Sequence, residues 1–180
     1  MKLSAFISFS RPGATTSVFL LLIGWMEVVV GHPLHEPLSP PLQNEEMYEI
    51  VDKVAKHAQR LQDDPSTRLL PSVNTTGQDP MKICCLHAKI LDFYLDNILP
   101  YHNGEHVDQL KINLGRISHD LQSHTCHVTH NHNQQHFVKY KKNFFTMSEE
   151  HRVIKAAGEI EILFSNLQDY CVKLRDDTAQ

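Results

Sequence analysis

Apolar residues recur at three- and four-residue spacing in five stretches of this 180-residue chain, and this periodicity constrains its fold most. Such spacing places apolar side chains on one face of an α-helix, whereas a half-buried strand would alternate apolar and polar residues. The stretches run from Met47 to Leu61, Ile83 to Ile98, Val107 to Leu121, Phe137 to Met147 and Val153 to Leu174. No segment alternates convincingly, so the sequence predicts an all-α bundle.

Three helix starts carry residues that are typical of N-caps. Asn44 precedes two glutamates, and its side chain can accept a hydrogen bond from a first-turn amide. Asp79 is followed by Pro80, the pairing of an N-cap with proline at the first helical position. Ser148 can cap the last helix. These residues predict where the first, second and last helices begin.

Residues 1–31 are typical of a secretory signal peptide. Lys2 and Arg11 provide positive charge, a short apolar run follows, and Gly31 fits a small-residue cleavage site. A membrane anchor is the alternative, but Glu27 interrupts the apolar run, which falls short of the roughly 20 residues that span a bilayer. We therefore predict a secreted, extracellular protein without membrane insertion.

The rest of the chain divides into an arm, one helical domain and a short tail. Residues 32–43 contain four prolines and few large apolar side chains, so they are predicted to be a flexible N-terminal arm. Residues 44–175 form the helical domain, and residues 176–180 the C-terminal tail. A long connection between the first two helices carries Asn74 in an Asn-Thr-Thr sequon, a candidate glycosylation site. Connections of this length are usually functional or disordered.

Four cysteines follow the predicted signal peptide, namely Cys84, Cys85, Cys126 and Cys171. An even number in a small secreted domain predicts two disulfides, for which three connectivities are possible. A zinc site is the weaker alternative, because there is no Cys-x-x-Cys pair and adjacent cysteines on a helix point about 100° apart. The sequence therefore predicts a single domain stapled by two disulfides.

Charge and motifs exclude several classes of function. Seventeen Lys and Arg stand against twenty-one Asp and Glu, so no strong positive field favours nucleic acid or anionic lipid. The sequence contains no phosphate-binding loop, dinucleotide fingerprint, Gly-x-Ser-x-Gly or His-Glu-x-x-His. We predict that the protein is not an enzyme, needs no cofactor and does not bind nucleic acid.

Histidines are concentrated in the segment before the predicted aromatic helix, at positions His124, His127, His130, His132 and His136. Such spacings could bind zinc or copper, and a His-rich extracellular metal-binding helical protein is one alternative function. The other interpretation is a solvated polar loop. We favour it because the segment has no carboxylate to orient an imidazole, and we predict no metal site.

Two segments resemble the interleukin-10 family of cytokines. Cys84-Cys85-Leu86 followed by Leu91 to Leu99 is similar to the family's third helix. Residues 155–164 read Lys-Ala-Ala-Gly-Glu-Ile-Glu-Ile-Leu-Phe and are similar to its last helix, whose core is Lys-Ala-x-Gly-Glu-Leu-Asp-x-Leu. The resemblance covers roughly Asn44 to Cys171. It implies a six-helix cytokine bundle of the interleukin-10 family type, present as a monomer or weak dimer.

The resemblance also implies the partners. The chain would bind a class II cytokine receptor pair, a private high-affinity chain and the shared interleukin-10 receptor beta chain, and trigger JAK/STAT signalling in epithelial defence and inflammation. A soluble decoy receptor is a further implied partner. Other branches of the family, the interleukin-20 subgroup or an interleukin-26-like member, are the alternatives.

A site for the private receptor chain follows from the same resemblance. It comprises Thr67, Arg68, Lys155, Gly158 and Glu159. Glycine costs about 1 kcal/mol relative to alanine in a helix interior, so Gly158 indicates that another surface approaches closely. That surface could be the receptor, or it could be another helix of the same chain.

A site for the shared chain is implied at Tyr48, on the first helix. Partial burial of Tyr48 against the bundle is the alternative. The fourth helix of the family pattern departs here, because Asp108 replaces an aromatic residue and Lys111 replaces an acid of the member that the chain most resembles. These two departures concern the detail of second-chain contact.

The resemblance finally implies a disulfide pairing. In the most similar member, an N-terminal cysteine pairs with the one that matches Cys126, and this sequence has no cysteine before Cys84. Cys85 instead resembles the Cys-Cys pair of the interleukin-20 subgroup. The implied bridges are Cys84–Cys171 and, as the replacement, Cys85–Cys126, with swapped partners as the alternative.

Overall fold

The structure, a computed structural model, describes residues 39–63, 67–72, 77–126 and 134–172. These ranges contain six α-helices and no strand, which agrees with the predicted all-α class, although the periodicity indicated five helical stretches. The helices are α1 (Glu45–Arg60), α2 (Pro80–Asn97), α3 (Val107–His124), α4 (Gln134–Thr146), α5 (Glu149–Gly158) and α6 (Ile160–Leu167). A 3₁₀ turn (Pro40–Gln43) precedes α1, and a π-helical turn (Gln168–Val172) follows α6. The predicted signal peptide, Asn74 and the C-terminal tail lie outside the described residues.

Two of the three predicted caps are confirmed. The Asn44 side chain accepts a hydrogen bond from the backbone N–H of Glu46 at 3.0 Å, and α1 begins one residue later. Asp79 accepts in the same way from Met81 at 2.9 Å, with proline at the first position of α2. Ser148 occupies the N-cap position of α5, but it makes no side-chain cap, and its hydroxyl lies 2.5 Å from Nδ1 of His151 instead. The prediction that Ser148 caps the helix is therefore wrong.

The last part of the predicted N-terminal arm is packed onto the body. Leu42 is buried, and its carbonyl accepts a hydrogen bond from the Gln168 side chain at 2.6 Å. Ser39 is also buried and donates to an oxygen of Asp120 at 2.9 Å. The expectation of a flexible arm is wrong for residues 39–43, because one leucine and one serine suffice to anchor this short turn. Residues 32–38 lie outside the described ranges.

The core lies between the helices and contains the predicted apolar faces. α2 is central, since it packs against α3, α4, α6 and the π-helical turn. Phe93 of α2 meets the rings of Phe137, Tyr140 and Phe144 of α4 edge to face, an arrangement that aromatic pairs favour. α1, the first helix of the chain, packs against α5 and α6, the last two helices. No helix in the described ranges has the length and apolar character needed to cross a bilayer.

Both disulfides start from neighbouring residues of α2. Cys84 is bonded to Cys171 in the π-helical turn, and Cys85 is bonded to Cys126 just after α3. This is the pairing that the family resemblance implies. The bridged cysteines are 87 and 41 positions apart, so the bridges connect α2 to the π-helical turn and to the end of α3.

Candidate functional site

The predicted last helix is divided at Glu159, and this break forms the candidate site. α5 ends at Gly158 and α6 begins at Ile160, while Glu159 has φ −98° and ψ 6°. Its backbone N–H donates to the carbonyl of Ala156 at 2.9 Å, a 3₁₀-type bond that tightens the last turn. The break directs the Glu159 side chain toward the connection between α1 and α2.

The Glu159 carboxylate holds this connection through two backbone amides. Oε1 accepts from the N–H of Leu69 at 2.8 Å, and Oε2 accepts from the N–H of Leu70 at 2.7 Å. Nζ of Lys155 lies 3.6 Å from Oε1, and Lys155 and Glu159 are each only 5% exposed. A buried carboxylate is tolerated when its charge is paired and its oxygens accept hydrogen bonds. We call this arrangement of Glu159, Lys155, Leu69 and Leu70 the loop clamp.

The loop clamp fixes one part of the connection and leaves the adjacent part accessible. The side chains of Leu69 and Leu70 are buried, whereas Thr67 and Arg68 immediately before them are exposed. Two buried leucines and two charge-assisted hydrogen bonds restrain the backbone directly after Arg68. The backbone that carries the exposed Arg68 side chain is therefore held in place.

Gly158 has a partner within the chain. Its carbonyl accepts a hydrogen bond from Gln59 Nε2 of α1 at 2.8 Å, and the carbonyl of Ile154 accepts from Gln62 Nε2 at 3.5 Å. A Cβ atom at position 158 would overlap the Gln62 amide and lie 3.3 Å from Cγ of Gln59. The close approach that the glycine predicted is therefore accounted for by α1 of the same chain.

The five residues predicted for the private receptor chain line one shallow depression. Thr67 and Arg68 are exposed at its edge, while Lys155, Gly158 and Glu159 are buried. Three further residues complete the lining, Gln59, Gln62 and Ile162. The sequence did not indicate the two glutamines, because Gln59 lies in the last turn of α1 and Gln62 lies in the turn after it, away from any functional motif. Receptor contact by any of these residues stays a prediction.

Tyr94 and His87 of α2 are buried close to the loop clamp. Tyr94 donates its hydroxyl hydrogen to the carbonyl of Ala156 at 2.9 Å, and burial together with nearby Tyr140 and Glu159 raises its pKa, so it remains a neutral donor. The ring of His87 stacks on Tyr170, and burial lowers its pKa, with the Arg68 charge acting in the same direction. Burial therefore favours the neutral forms of both the Tyr94 phenol and the His87 imidazole.

Tyr48 lies on α1, eleven residues before Gln59. Its side chain is 48% exposed, and its ring meets Phe164 of α6 edge to face at 5.4 Å. One edge of the ring therefore packs on the bundle and the remainder faces solvent, and receptor contact by Tyr48 stays a prediction. Asp108 and Lys111 of α3 form an exposed ion pair with 3.8 Å between Nζ and Oδ1.

Metal binding gains no geometric support from the part of the chain that the structure covers. Within it, the only group of three candidate ligands is Cys84, Cys85 and Cys126, and their sulfurs are used in disulfides. His124 sits in the last turn of α3 with Nδ1 3.0 Å from the carbonyl of Asp120. Of the other histidines in the cluster, His136 lies in α4, while His127, His130 and His132 lie outside the described residues.

Comparison with known proteins adds a sequence relative and a structural one. The chain is 25% identical to interleukin-22b of the mouse, Mus musculus, over 174 residues that cover 92% of this chain and 96% of the mouse protein. It matches the crystal structure of zebrafish interleukin-22 with a TM-score of 0.61 and 22% identity, over 76% of this chain and 99% of that chain. No family model matches the sequence.

The chain is therefore similar to interleukin-22 over nearly its whole length, and its helical fold is similar to that of zebrafish interleukin-22, in agreement with the resemblance of its sequence to the interleukin-10 family of cytokines.

Proposed function

We propose that this chain is a secreted, interleukin-22-like cytokine of the interleukin-10 family. It binds a class II receptor pair, the interleukin-22 receptor alpha chain as the private chain and the interleukin-10 receptor beta chain as the shared one. Assembly of the pair triggers JAK/STAT signalling in epithelial defence and inflammation. A soluble decoy receptor is a further partner in this proposal. The observation that carries it is the exposed Arg68 on a loop that Glu159 fixes to the last two helices.

The geometry supports Arg68 as the main contact for two physical reasons. Arginine is enriched among residues that dominate interface energies, because its guanidinium forms several hydrogen bonds and also packs its flat face. A backbone that is already fixed loses less conformational entropy on binding than a free loop. Thr67 adjoins Arg68 and is also exposed, so it adds a second contact to the same surface.

Lys155, Gly158 and Glu159 contribute chiefly by position. Glu159 and Lys155 hold the loop backbone, and Gly158 lets α1 approach closely enough for Gln59 to bond its carbonyl. Their buried surfaces form the floor of the depression whose edge carries Arg68. In this proposal they determine the shape of the surface that the receptor contacts. Substitutions at these positions change receptor affinity by displacing Arg68.

Charge reversal at Arg68 tests the private-chain site. Arg68→Glu should weaken binding to the immobilised private chain by about 30-fold or more, the loss typical of an interface hot spot. Arg116→Glu is the matched control, because Arg116 is an exposed arginine on α3. It should bind within about twofold of the parent, and both variants should keep the parent's helical content by circular dichroism. Affinity of Arg68→Glu close to that of the control would refute the site.

The shared-chain site is tested at Tyr48. Tyr48→Ala should leave private-chain affinity unchanged but reduce recruitment of the shared chain to the binary complex by about tenfold, since an exposed tyrosine is a common interface anchor. Tyr101→Ala is the control, because Tyr101 is 71% exposed and lies after α2. Equal recruitment by Tyr48→Ala and the control would show that Tyr48 serves only the packing against Phe164.

A further inference from the structure

A second surface groove also includes Arg68. It lies between the loop of residues 68–72 and one face of α4, and we call it the α4 groove. The polar side chains that line it are Arg68, Ser72, Gln135, His136, Lys139 and Asn143. It is separate from the depression over Glu159, which Arg68 and Thr67 border.

The α4 groove is positive although the chain as a whole is negative. None of the described residues that line it has a carboxylate, and α4 itself contains three lysines and no Asp or Glu. The whole chain has a formal net charge of −4. Glu159 lies behind Leu69 and Leu70, where its oxygens are already bonded to their amides. The local charge of the groove is therefore not neutralised by any of its own lining residues.

The donors of the α4 groove come from two walls that are both held in place. His136, Lys139 and Asn143 follow each other at spacings of three and four residues, so they share one face of α4. Arg68 stands on the opposing wall, whose backbone is restrained by the loop clamp. Positive and amide donors along two facing walls can contact several anionic groups of one extended ligand.

The chemistry of the walls favours sulfate groups over nucleotides. An arginine fork binds the oxygens of a sulfate or phosphate in a bidentate manner, and a lysine adds a point charge. Single-stranded nucleic acid also needs exposed aromatic rings on which its bases stack. Among the described residues that line the groove, Tyr140 is the only Phe, Tyr or Trp, and it is 1% exposed, so it offers no ring face to a base.

We propose that the α4 groove binds a sulfated polysaccharide of the heparan sulfate class, with Arg68 and Lys139 as its principal anion contacts. Because Arg68 also borders the depression assigned to the private receptor chain, the polysaccharide and that receptor chain compete for it. The binding itself does not rest on the receptor proposal.

Two lysines of α4 provide a matched test. The mature chain is titrated with a size-defined heparin oligosaccharide by calorimetry at physiological salt, in parallel for the parent, Lys139→Glu and Lys142→Glu. Lys142 is exposed on the same helix but does not line the groove, so both variants change the net charge equally. Lys139→Glu should weaken binding by about fivefold or more, and Lys142→Glu by less than about twofold.

Three outcomes would overturn the proposal. The first is no binding of the parent, and the second is an equal loss in both lysine variants, which would indicate unspecific attraction to net charge. The third is equally tight binding of a single-stranded DNA of the same charge with the same dependence on Lys139, which would indicate a nucleic-acid site. A chemically desulfated oligosaccharide should not bind the parent.

The receptor assay separates this proposal from the function proposed above. Lys139→Glu should bind the private receptor chain as the parent does, whereas Arg68→Glu should lose both ligands. If Arg68→Glu loses only the polysaccharide, the receptor site is wrong and the α4 groove stands. If it loses only the receptor, and Lys139→Glu binds heparin normally, the α4 groove is wrong and the receptor site stands.

Discussion

Two regions of the molecule attach irregular segments to the helical body by different means. At one, the disulfides of Cys84 and Cys85 attach the π-helical turn and the end of α3 to α2. At the other, hydrogen bonds from the amides of Leu69 and Leu70 attach the loop before α2 to Glu159, whose charge is paired with that of Lys155. A covalent bridge persists when the chain unfolds, whereas the loop clamp exists only in the native state. The bridges should therefore contribute most to the free energy of unfolding, and the loop clamp should determine the position in which the loop exposes Arg68.

The largest effect is expected from removing a bridge. The double substitution of Cys84 and Cys171 by serine should lower the free energy of unfolding by about 4 to 5 kcal/mol, because the bridge closes 87 residues in the unfolded chain. Replacing Cys85 and Cys126 should cost about 4 kcal/mol for its separation of 41 residues. Chemical denaturation measures both values. Affinity for the private chain, measured where each variant is still folded, should stay within about threefold of the parent. A large loss of affinity would contradict the division of roles.

Breaking the loop clamp should give the next largest effect and should change binding as well. Glu159→Ala leaves the amides of Leu69 and Leu70 and the Lys155 charge without this carboxylate, so we expect a loss of about 3 kcal/mol in unfolding free energy. Glu161→Ala is the control, since Glu161 is an exposed glutamate in α6. It should change stability by less than about 0.5 kcal/mol. Private-chain affinity should fall for Glu159→Ala alone, and an unchanged affinity would show that the loop needs no clamp.

The two regions also differ in how far the sequence could predict them. The helices and the cysteine count follow from local patterns, and Asn44 and Asp79 mark helix starts that depend on the next few residues only. The pairing of Cys85 with Cys126 needed the family resemblance, because spacing alone leaves three connectivities. Patterns that repeat within a few residues can be read from one chain without knowledge of its tertiary contacts.

The loop clamp joins residues about 90 positions apart, and no local pattern encodes it. Glu159 lies inside an apolar periodic stretch that continues on both sides, so the sequence predicted one helix where the structure has two. The break depends on tertiary partners, the amides of Leu69 and Leu70 and the side chain of Gln59. The anchoring of Leu42 likewise depends on Gln168, at the other end of the chain. Periodicity could not identify either contact, because each forms only in the folded state.

The smallest effect is expected at Gly158. Alanine gains about 1 kcal/mol of helix propensity there, but its Cβ must displace the Gln62 amide and presses on Gln59. The two effects are of similar size, so Gly158→Ala should change unfolding free energy by no more than about 1 kcal/mol in denaturation. Gly115→Ala on α3 is the control, because nothing lies within 4 Å of the added methyl and only the stabilising contribution remains. Equal stabilisation of both variants would show that α1 does not approach Gly158 closely in solution.

In the function proposed above, Glu159 raises receptor affinity by holding the loop that carries Arg68. A double-mutant cycle tests this coupling between the two residues. Private-chain affinity is measured for the parent, Glu159→Gln, Arg68→Ala and the double variant. Glu159→Gln keeps the side-chain size but removes the charge and one of the two carboxylate oxygens that accept from Leu69 and Leu70. Glu159→Gln should weaken binding to the private receptor chain about fivefold when Arg68 is present, and less than about twofold in the Arg68→Ala background. Equal losses in both backgrounds would contradict it, because Glu159 would then act on the receptor independently of Arg68.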